Sequence, residues 1–234
     1  MTLLIAILSD GIIYAAWLFI VALGLTLVFG VMKILNVAHG SFYAIGAYTA
    51  ASLIGVYFAS DNPPIGGYLV LIAAALVAGI PLGILLERGV LRFIYGRDEV
   101  VCALATYAVF LILESAVLLT WGADPYPASQ PLTLLGTTKV GAINVANYDL
   151  LLVVVAVVTG LALWLALNRT RLGKLLQAVI HDREISAAMG VNVRRMFLAT
   201  FVAGAVLGAL GGALNAPKIS VQPGIGVETI VLAF

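Results

Sequence analysis

Six long apolar stretches restrict the fold of this sequence more than any other feature. A helix of about 20 apolar residues crosses the roughly 30 Å hydrocarbon core of a bilayer. Lipid offers the backbone no hydrogen-bond partners, so apolar runs of this length are expected to be helical. The predicted spans cover residues 11–32, 37–59, 68–86, 100–121, 150–167 and 196–214. The sequence therefore predicts an all-α, polytopic membrane protein with about six transmembrane helices in a single domain, residues 1–234.

The composition agrees with a membrane protein and argues against other classes. Hydrophobic residues make up 63% of the chain and charged residues 10%, whereas soluble domains carry about 25% charged residues. A net charge of +1 gives no basis for a nucleic-acid partner. Cys102 is the only cysteine and lies in an apolar run, so an intrachain disulfide is excluded and a small buried side chain is predicted.

Three further patterns concern the spans and the loops between them. The sixth span carries Gly204, Gly208 and Gly212 at intervals of four, a spacing that favours close contact between helices. Residues 87–99 are predicted to form a short charged loop. Residues 122–149 are predicted to form an extramembrane loop or hairpin, because they combine three prolines with short β-prone pieces.

The cations are divided unevenly between the two ends of the predicted spans. Two of them, Lys139 and Lys218, fall on one side. The other side holds ten: Lys33, Arg88, Arg92, Arg97, Arg169, Arg171, Lys174, Arg183, Arg194 and Arg195. Because cytoplasmic loops of membrane proteins are enriched in Lys and Arg, this distribution predicts that the ten lie in the cytoplasm and that the N-terminus lies outside.

The longest polar interval on the basic side, residues 168–195, contains signals for a short helix. Asp182 is a favoured N-cap residue, and Gly190 can adopt the left-handed conformation that ends a helix. About two turns, roughly 10 Å in length, would lie between them. The apolar residues of one face would be Ile185, Ala188 and Met189. The pattern is typical of a docking surface for a partner, and an ordinary cytoplasmic loop would show it equally well.

The sequence offers no positive evidence of catalysis. It contains no HExxH motif, no cysteine pair and no carboxylate cluster, so we expect no metal site. It has neither the GxxxxGK[ST] motif that binds ATP phosphates nor the GxSxG motif of a serine nucleophile. We therefore predict that the chain is not an enzyme and needs no cofactor.

Two polar features interrupt the apolar spans. Glu114 lies within the fourth span, where an ionisable group is costly and faces protein or water. It would either contact a substrate or ion, or form a hydrogen bond between helices. The second feature, at the start of the second span, comprises Asn36, His39, Gly40 and Ser41. A broken span there would aim helix-end dipoles at a zwitterionic solute. The alternative is a tight turn in which His39 satisfies local carbonyl groups.

Two motifs, taken together, resemble a known family. Residues 24–32 (GLTLVFGVM), followed by residues 36–48 (NVAHGSFYAIGAY), resemble the N-terminal half of bacterial branched-chain amino acid ABC transporter permeases, in particular the H-type first permease subunit. Residues 182–193 (DREISAAMGVNV) resemble the cytoplasmic coupling loop of that family. The resemblance covers the chain from Gly11 onwards. Family members usually continue into further spans after a polar interval such as the one ending near Glu228, so the resemblance predicts a C-terminally truncated chain.

The resemblance implies a subunit of an importer in the bacterial cytoplasmic (inner) membrane. Such a permease pairs with a second permease, with two ATP-binding subunits and with a periplasmic solute-binding protein. Residues 169–195 would then form the cytoplasmic coupling loop, and its short helix would sit in a groove of an ATP-binding subunit. The residues implied in this contact are Asp182, Arg183, Glu184, Ala187, Ala188, Met189 and Gly190.

Three alternatives stay open on the sequence. Urea and short-chain amide ABC permeases share much of the pattern, so the pattern leaves the solute open. A stand-alone secondary carrier would use Glu114 as an ion-coupled group, although such carriers usually contain inverted repeats and none is visible here. An intramembrane enzyme would require His39 and Glu114 to converge from different spans.

Overall fold

The computed structural model describes residues 2–60, 62–140 and 143–233, and helices dominate it. Within these residues, six helices are long and apolar enough to cross a membrane, which confirms the predicted all-α polytopic fold. These are α1 (Thr2–Met32), α2 (His39–Ala59), α3 (Gly67–Leu86), α5 (Glu99–Trp121), α7 (Asn147–Arg169) and α10 (Val193–Asn215). The shorter helices are α4 (Arg92–Ile94), α6 (Gln130–Leu134), α8 (Arg171–His181), α9 (Arg183–Ala188) and α11 (Ile225–Ala233).

Helix α10 lies at the centre of the bundle, where it packs against α1, α2 and α3. Its glycines allow this close approach. A Cβ atom on Gly212 would collide with the carbonyl oxygen of Tyr43 in α2. A Cβ atom on Gly208 would come within 3.1 Å of the His39 ring. The close helix contact predicted from the glycine spacing is therefore confirmed.

The third membrane-spanning helix is longer than the sequence predicted. Helical structure continues from α3 through a π-helical turn, Glu87–Leu91, into α4. The prediction of a loop over residues 87–99 is therefore wrong as far as Ile94. The charged residue Glu87 can remain in the helix because its buried carboxylate accepts a hydrogen bond of 2.9 Å from the Tyr95 hydroxyl.

The long loop after α5 contains the hairpin that its β-prone residues predicted. Strand β1 (Thr137–Val140) pairs antiparallel with β2 (Ile143–Ala146). Residues 141–142, which join the two strands, lie outside the described part of the chain. The hairpin is the only sheet among the described residues, so the fold remains all-α in its architecture.

One end of the bundle, here called the basic end, gathers the loops that carry most of the cations. It comprises Lys33, residues 87–98 and residues 170–192. The guanidinium Nη2 of Arg183 donates a hydrogen bond of 3.1 Å to the carbonyl oxygen of Met32. This contact brings the 170–192 segment to the end of α1, as the alternation of the predicted loops requires.

The opposite end joins the remaining loops. The ammonium group of Lys218 lies 2.5 Å from a carboxylate oxygen of Asp149. The backbones of Tyr126 and Val221 exchange N–H···O bonds of 2.8 and 3.2 Å. The predicted division of the loops between two ends of six antiparallel spans is therefore confirmed.

Candidate coupling and substrate-pathway sites

Helix α9 has both of the caps that its sequence predicted. A carboxylate oxygen of Asp182 accepts a hydrogen bond of 2.9 Å from the backbone amide of Ile185. At the other end, Gly190 has φ +86°, which a residue with a Cβ atom rarely adopts. The amide of Gly190 bonds to the Ala187 carbonyl and that of Val191 to the Ser186 carbonyl. This pair of bonds is a Schellman motif, so the helix is closed at both ends within the loop.

The outer surface of α9 is apolar and unusually exposed. Ile185 is 64% exposed and Met189 is 80% exposed. Ala188, on the same face, is also exposed, whereas Ser186 points inwards and is buried. An exposed apolar surface on an otherwise polar loop is typical of a binding site for another protein.

Arg183 links the start of α9 to two membrane-spanning helices. Besides its hydrogen bond to the carbonyl of Met32, its guanidinium lies over the ring of Phe197 in α10, 4.7 Å from the centroid. A cation is favoured at the C-terminal end of α1, where backbone carbonyls lack helical partners. Arg183 therefore joins α9 directly to α1 and α10.

A second set of contacts connects Phe197 to the third span. The Tyr95 ring packs edge-on against Phe197 with centroids 5.2 Å apart, and its hydroxyl donates to Glu87. Burial, together with the neighbouring Glu87 carboxylate, raises the pKa of Tyr95 above its ordinary value. The hydroxyl therefore stays protonated and remains a donor to Glu87. We call Glu87, Tyr95, Phe197 and Arg183 the basic-end cluster.

Helix α8 was missed by the sequence analysis. Its N-cap residue, Thr170, accepts a hydrogen bond of 3.0 Å from the backbone amide of Gly173. Its buried residues include Leu176 and Val179, and Lys174 lies on the exposed side. The signals were present, since Thr170 is a good N-cap residue and apolar residues recur at helical spacing. The sequence analysis instead assigned these residues to the coupling loop and placed a helix only between Asp182 and Gly190.

The polar residues at the start of α2 are buried inside the bundle. Asn36, His39 and Ser41 are each 1% exposed or less. His39 Nε2 bonds to the Val21 carbonyl oxygen at 3.0 Å, so this nitrogen is the donor. In the part of the chain that the structure describes, both side-chain amide atoms of Asn36, Nδ1 of His39 and Oγ of Ser41 have no hydrogen-bond partner. Such a group of unpaired buried polar atoms is unusual and calls for an explanation.

Glu114 and Gly40 meet at the beginning of α11. The Glu114 carboxylate is half-buried and faces the backbone amide of Gly224. Its Oε1 atom would lie 3.0 Å from a Cβ atom on Gly226, and the Gly40 carbonyl oxygen would lie 2.8 Å from the same atom. A helix N-terminus favours a neighbouring negative charge. The sequence analysis identified Glu114 and Gly40 but missed Gly224 and Gly226, because these contacts join segments that are far apart in the chain.

His39 and Glu114 have different partners. His39 contacts Val21, Gly24 and Gly208, on α1 and α10, whereas Glu114 faces the start of α11. Among the residues that the structure describes, no group of three or more His, Cys, Asp or Glu side chains is placed to hold a metal ion.

These features define a polytopic membrane protein with a capped, exposed helix at its basic end and a buried polar segment within its spans. Residues 7–234 match the family described as branched-chain amino acid transport system / permease component. The chain belongs to this family and is a transmembrane permease component.

Individual relatives agree with the family assignment. The chain is 27% identical to the high-affinity branched-chain amino acid transport permease BraD of Pseudomonas aeruginosa, over 97% of this chain and 76% of BraD. It is 26% identical to LivH of Escherichia coli K12, over 96% of this chain and 75% of LivH. It is 29% identical to a probable LivH of Methanocaldococcus jannaschii, over 89% of this chain and 65% of that protein. No solved structure matches the chain.

Proposed function

We propose that this chain is the permease subunit of an ATP-binding cassette importer that moves branched-chain amino acids across the bacterial cytoplasmic membrane. The observation that carries the proposal is the link from exposed α9, through Arg183, to the membrane-spanning helices α1 and α10. The printed names of BraD and LivH support the solute class. The excess of cations at the basic end supports a cytoplasmic position for that end and an N-terminus outside.

The proposed partners are those that membership of this permease family implies. The chain has no P-loop motif, so the energy for transport would come from two separate ATP-binding subunits. A second permease would complete the passage through the membrane, and a periplasmic solute-binding protein would deliver the amino acid. The lipid bilayer surrounds the subunit, and no nucleic acid is involved.

In the proposed mechanism, α9 transmits motion of an ATP-binding subunit to the spans. Ile185 and Met189 would enter an apolar groove of that subunit. Arg183 would then carry the displacement to the end of α1 and, through Phe197, to α10. The residues assigned to this coupling surface are Asp182, Arg183, Glu184, Ala187, Ala188, Met189 and Gly190. Movement of α10 would reach the buried polar segment, because Gly208 packs against the His39 ring.

The same proposal places part of the substrate pathway at Asn36, His39, Gly40, Ser41 and Glu114. The ammonium group of a zwitterionic amino acid can donate hydrogen bonds to a carboxylate such as that of Glu114. Its carboxylate group would suit a positive helix N-terminus. The unpaired polar atoms of the buried segment support this assignment, because a second conformation of the bundle could give them solute or water as partners.

A paired substitution tests the coupling surface. Ile185→Glu with Met189→Glu should abolish co-purification of the ATP-binding subunits and lower ATP-driven uptake of labelled leucine at least about tenfold, because two charges would face an apolar groove. Val100→Glu is the matched control, since Val100 is 65% exposed in the first turn of α5, where a negative charge is tolerated.

Three results would contradict parts of the proposal. Normal association and uptake in the double variant would remove the role of α9. Leucine uptake by this chain alone, driven by a proton gradient without ATP, would instead identify a secondary carrier. Competition by urea or short-chain amides, with none by leucine or valine, would reject the solute class and leave the coupling mechanism standing.

A further inference from the structure

An apolar groove opens at the basic end between α7, α8 and α10. It has a volume of about 300 Å³. Its lining includes Leu27, Leu163, Leu167, Leu172, Leu176 and Met196. Two hydroxyl groups also line it, but Thr200 donates to the Met196 carbonyl and Thr170 to the Ala166 carbonyl. The groove therefore presents a hydrocarbon surface with no unpaired donor from these two side chains.

Three exposed cations flank the part of the groove that α8 and the end of α7 provide. Arg169, Arg171 and Lys174 are sequence neighbours of the lining residues Thr170, Leu172 and Gly173. In the described part of the chain, none of them lies within salt-bridge distance of a carboxylate. The rim therefore keeps a concentrated positive charge beside an apolar cleft.

We infer that this groove binds an anionic phospholipid of the leaflet at the basic end. One acyl chain lies against the apolar lining, and the phosphate headgroup contacts the rim cations. The two parts of the site match the two parts of such a lipid, and basic pockets between membrane helices are suited to anionic headgroups. A partner helix would fill the apolar cleft but would leave the rim charges without a counterpart.

The position of the groove makes it accessible to lipid from the bilayer. Only 11% of the residues in the apolar window of α7 are buried, and Val154, Val157 and Val158 on this helix are each about 60% exposed. The outer surface of α7 therefore faces lipid, and the groove lies at one end of that helix. Binding depends only on the membrane location of the six spans and not on the proposed coupling mechanism.

A bound lipid would also regulate the subunit. The groove joins α8 to α7 and α10, and α9 lies between α8 and α10 in the chain. An acyl chain between these helices would hold α8 in place and so set the position of α9. We therefore expect anionic lipid to increase ATP-driven transport without altering the affinity for the solute.

Native mass spectrometry of the assembled transporter tests the site. The complex is extracted in mild detergent and mixed with equal amounts of phosphatidylglycerol and phosphatidylcholine of identical acyl chains. The unsubstituted complex should retain phosphatidylglycerol preferentially. Arg171→Gln with Lys174→Gln should lower that preference about 25-fold, because each cation near an anionic lipid contributes roughly fivefold. Ala199→Phe with Ala203→Phe fills the groove and should reduce retention of both lipids.

Matched controls separate the groove from general lipid contact. Val157→Phe adds an aromatic ring to the exposed surface of α7, and Arg97→Gln removes an exposed cation elsewhere at the basic end. Neither should change lipid retention. Equal retention of the two lipids by the unsubstituted complex would overturn the proposal. Unchanged lipid retention in both groove variants would also overturn the proposal. The Arg171 and Lys174 side chains are exposed, so that variant remains informative even if the filled groove destabilises the fold.

Discussion

Helices α10 and α7 are both apolar and of equal length, yet they occupy opposite environments. In α10, 61% of the residues in the apolar window are buried, against 11% in α7. The more hydropathic of the two is α7, the exposed one. In lipid, hydrophobicity does not select the central helix, because the surroundings are as apolar as the core. Small residues select the central helix, since they let the backbones of neighbouring helices approach each other.

The largest expected effect comes from adding one methyl group to the central helix. Gly212→Ala would place its Cβ atom against the Tyr43 carbonyl oxygen, a backbone atom that cannot move aside. We expect a loss of about 3 kcal/mol in the free energy of unfolding, at the upper end of the range for overpacking. This free energy is measured by unfolding the protein in mixed micelles with increasing denaturant.

Gly55→Ala provides the control for this change. Gly55 also lies in a membrane-spanning helix, but its added Cβ atom would meet no other atom within 4 Å. It should stabilise the chain by up to about 1 kcal/mol through helix propensity. Equal effects at Gly212 and Gly55 would remove the distinction between a central and a peripheral helix surface.

The next prediction concerns the contact between the peripheral loop and the central helix. Arg183→Ala removes the hydrogen bond to Met32 and the contact with the Phe197 ring. A hydrogen bond to a charged group contributes roughly 1.5–3 kcal/mol, so ATP-driven uptake should fall about tenfold or more. Co-purification with the ATP-binding subunits should persist, because Ile185 and Met189 remain exposed.

Two further variants check this interpretation of Arg183. Arg183→Lys should restore uptake only partly, since an ammonium group lacks the planar surface that stacks on Phe197. Arg97→Ala, which removes an exposed cation from the same end, should have no effect. If Arg97→Ala were as damaging as Arg183→Ala, net charge rather than the specific link would control transport.

Tyr95→Phe tests the basic-end cluster by removing a donor from a buried carboxylate. Glu87 would lose its hydrogen bond, at a cost of about 1–3 kcal/mol. Tyr107→Phe, at a half-exposed tyrosine of α5, should cost almost nothing.

The pH dependence of stability provides a second measurement on Tyr95. Because the pKa of Tyr95 is raised in the folded state, its contribution is complete below the unfolded value of about 10 and is lost as the pH rises above it. The unsubstituted protein should therefore lose stability at alkaline pH more steeply than Tyr95→Phe. Parallel alkaline curves would contradict the Glu87–Tyr95 contact.

The smallest effect is expected on the exposed surface of α7. Val157→Ala removes two methyl groups from a side chain that is 63% exposed, so the change should stay within about 0.5 kcal/mol, as for substitutions away from packed sites. The same denaturant series measures it. A loss comparable to that of Gly212→Ala would mean that α7 is packed against a partner in the sample.

Local chemistry allowed several features to be predicted from the sequence. The six spans follow from runs of apolar residues, and the caps of α9 follow from Asp182 and Gly190, which act within a few residues of their own position. The division of the cations between alternate loops was also predicted, because the charges of each loop can be counted once the spans are located. Helix α8 could have been predicted in the same way, from the N-cap residue Thr170 and the helical spacing of its apolar residues.

Tertiary contacts decided the rest, because they join residues that the sequence separates. The surroundings of Glu114 depend on Gly224 and Gly226, more than 100 residues away in the chain. The sequence by itself determined the six described helices that are apolar enough to cross a membrane, since each span is recognisable from its own residues. Only the folded structure determined that α10 is central, because helix packing in lipid depends on the shapes of two surfaces together.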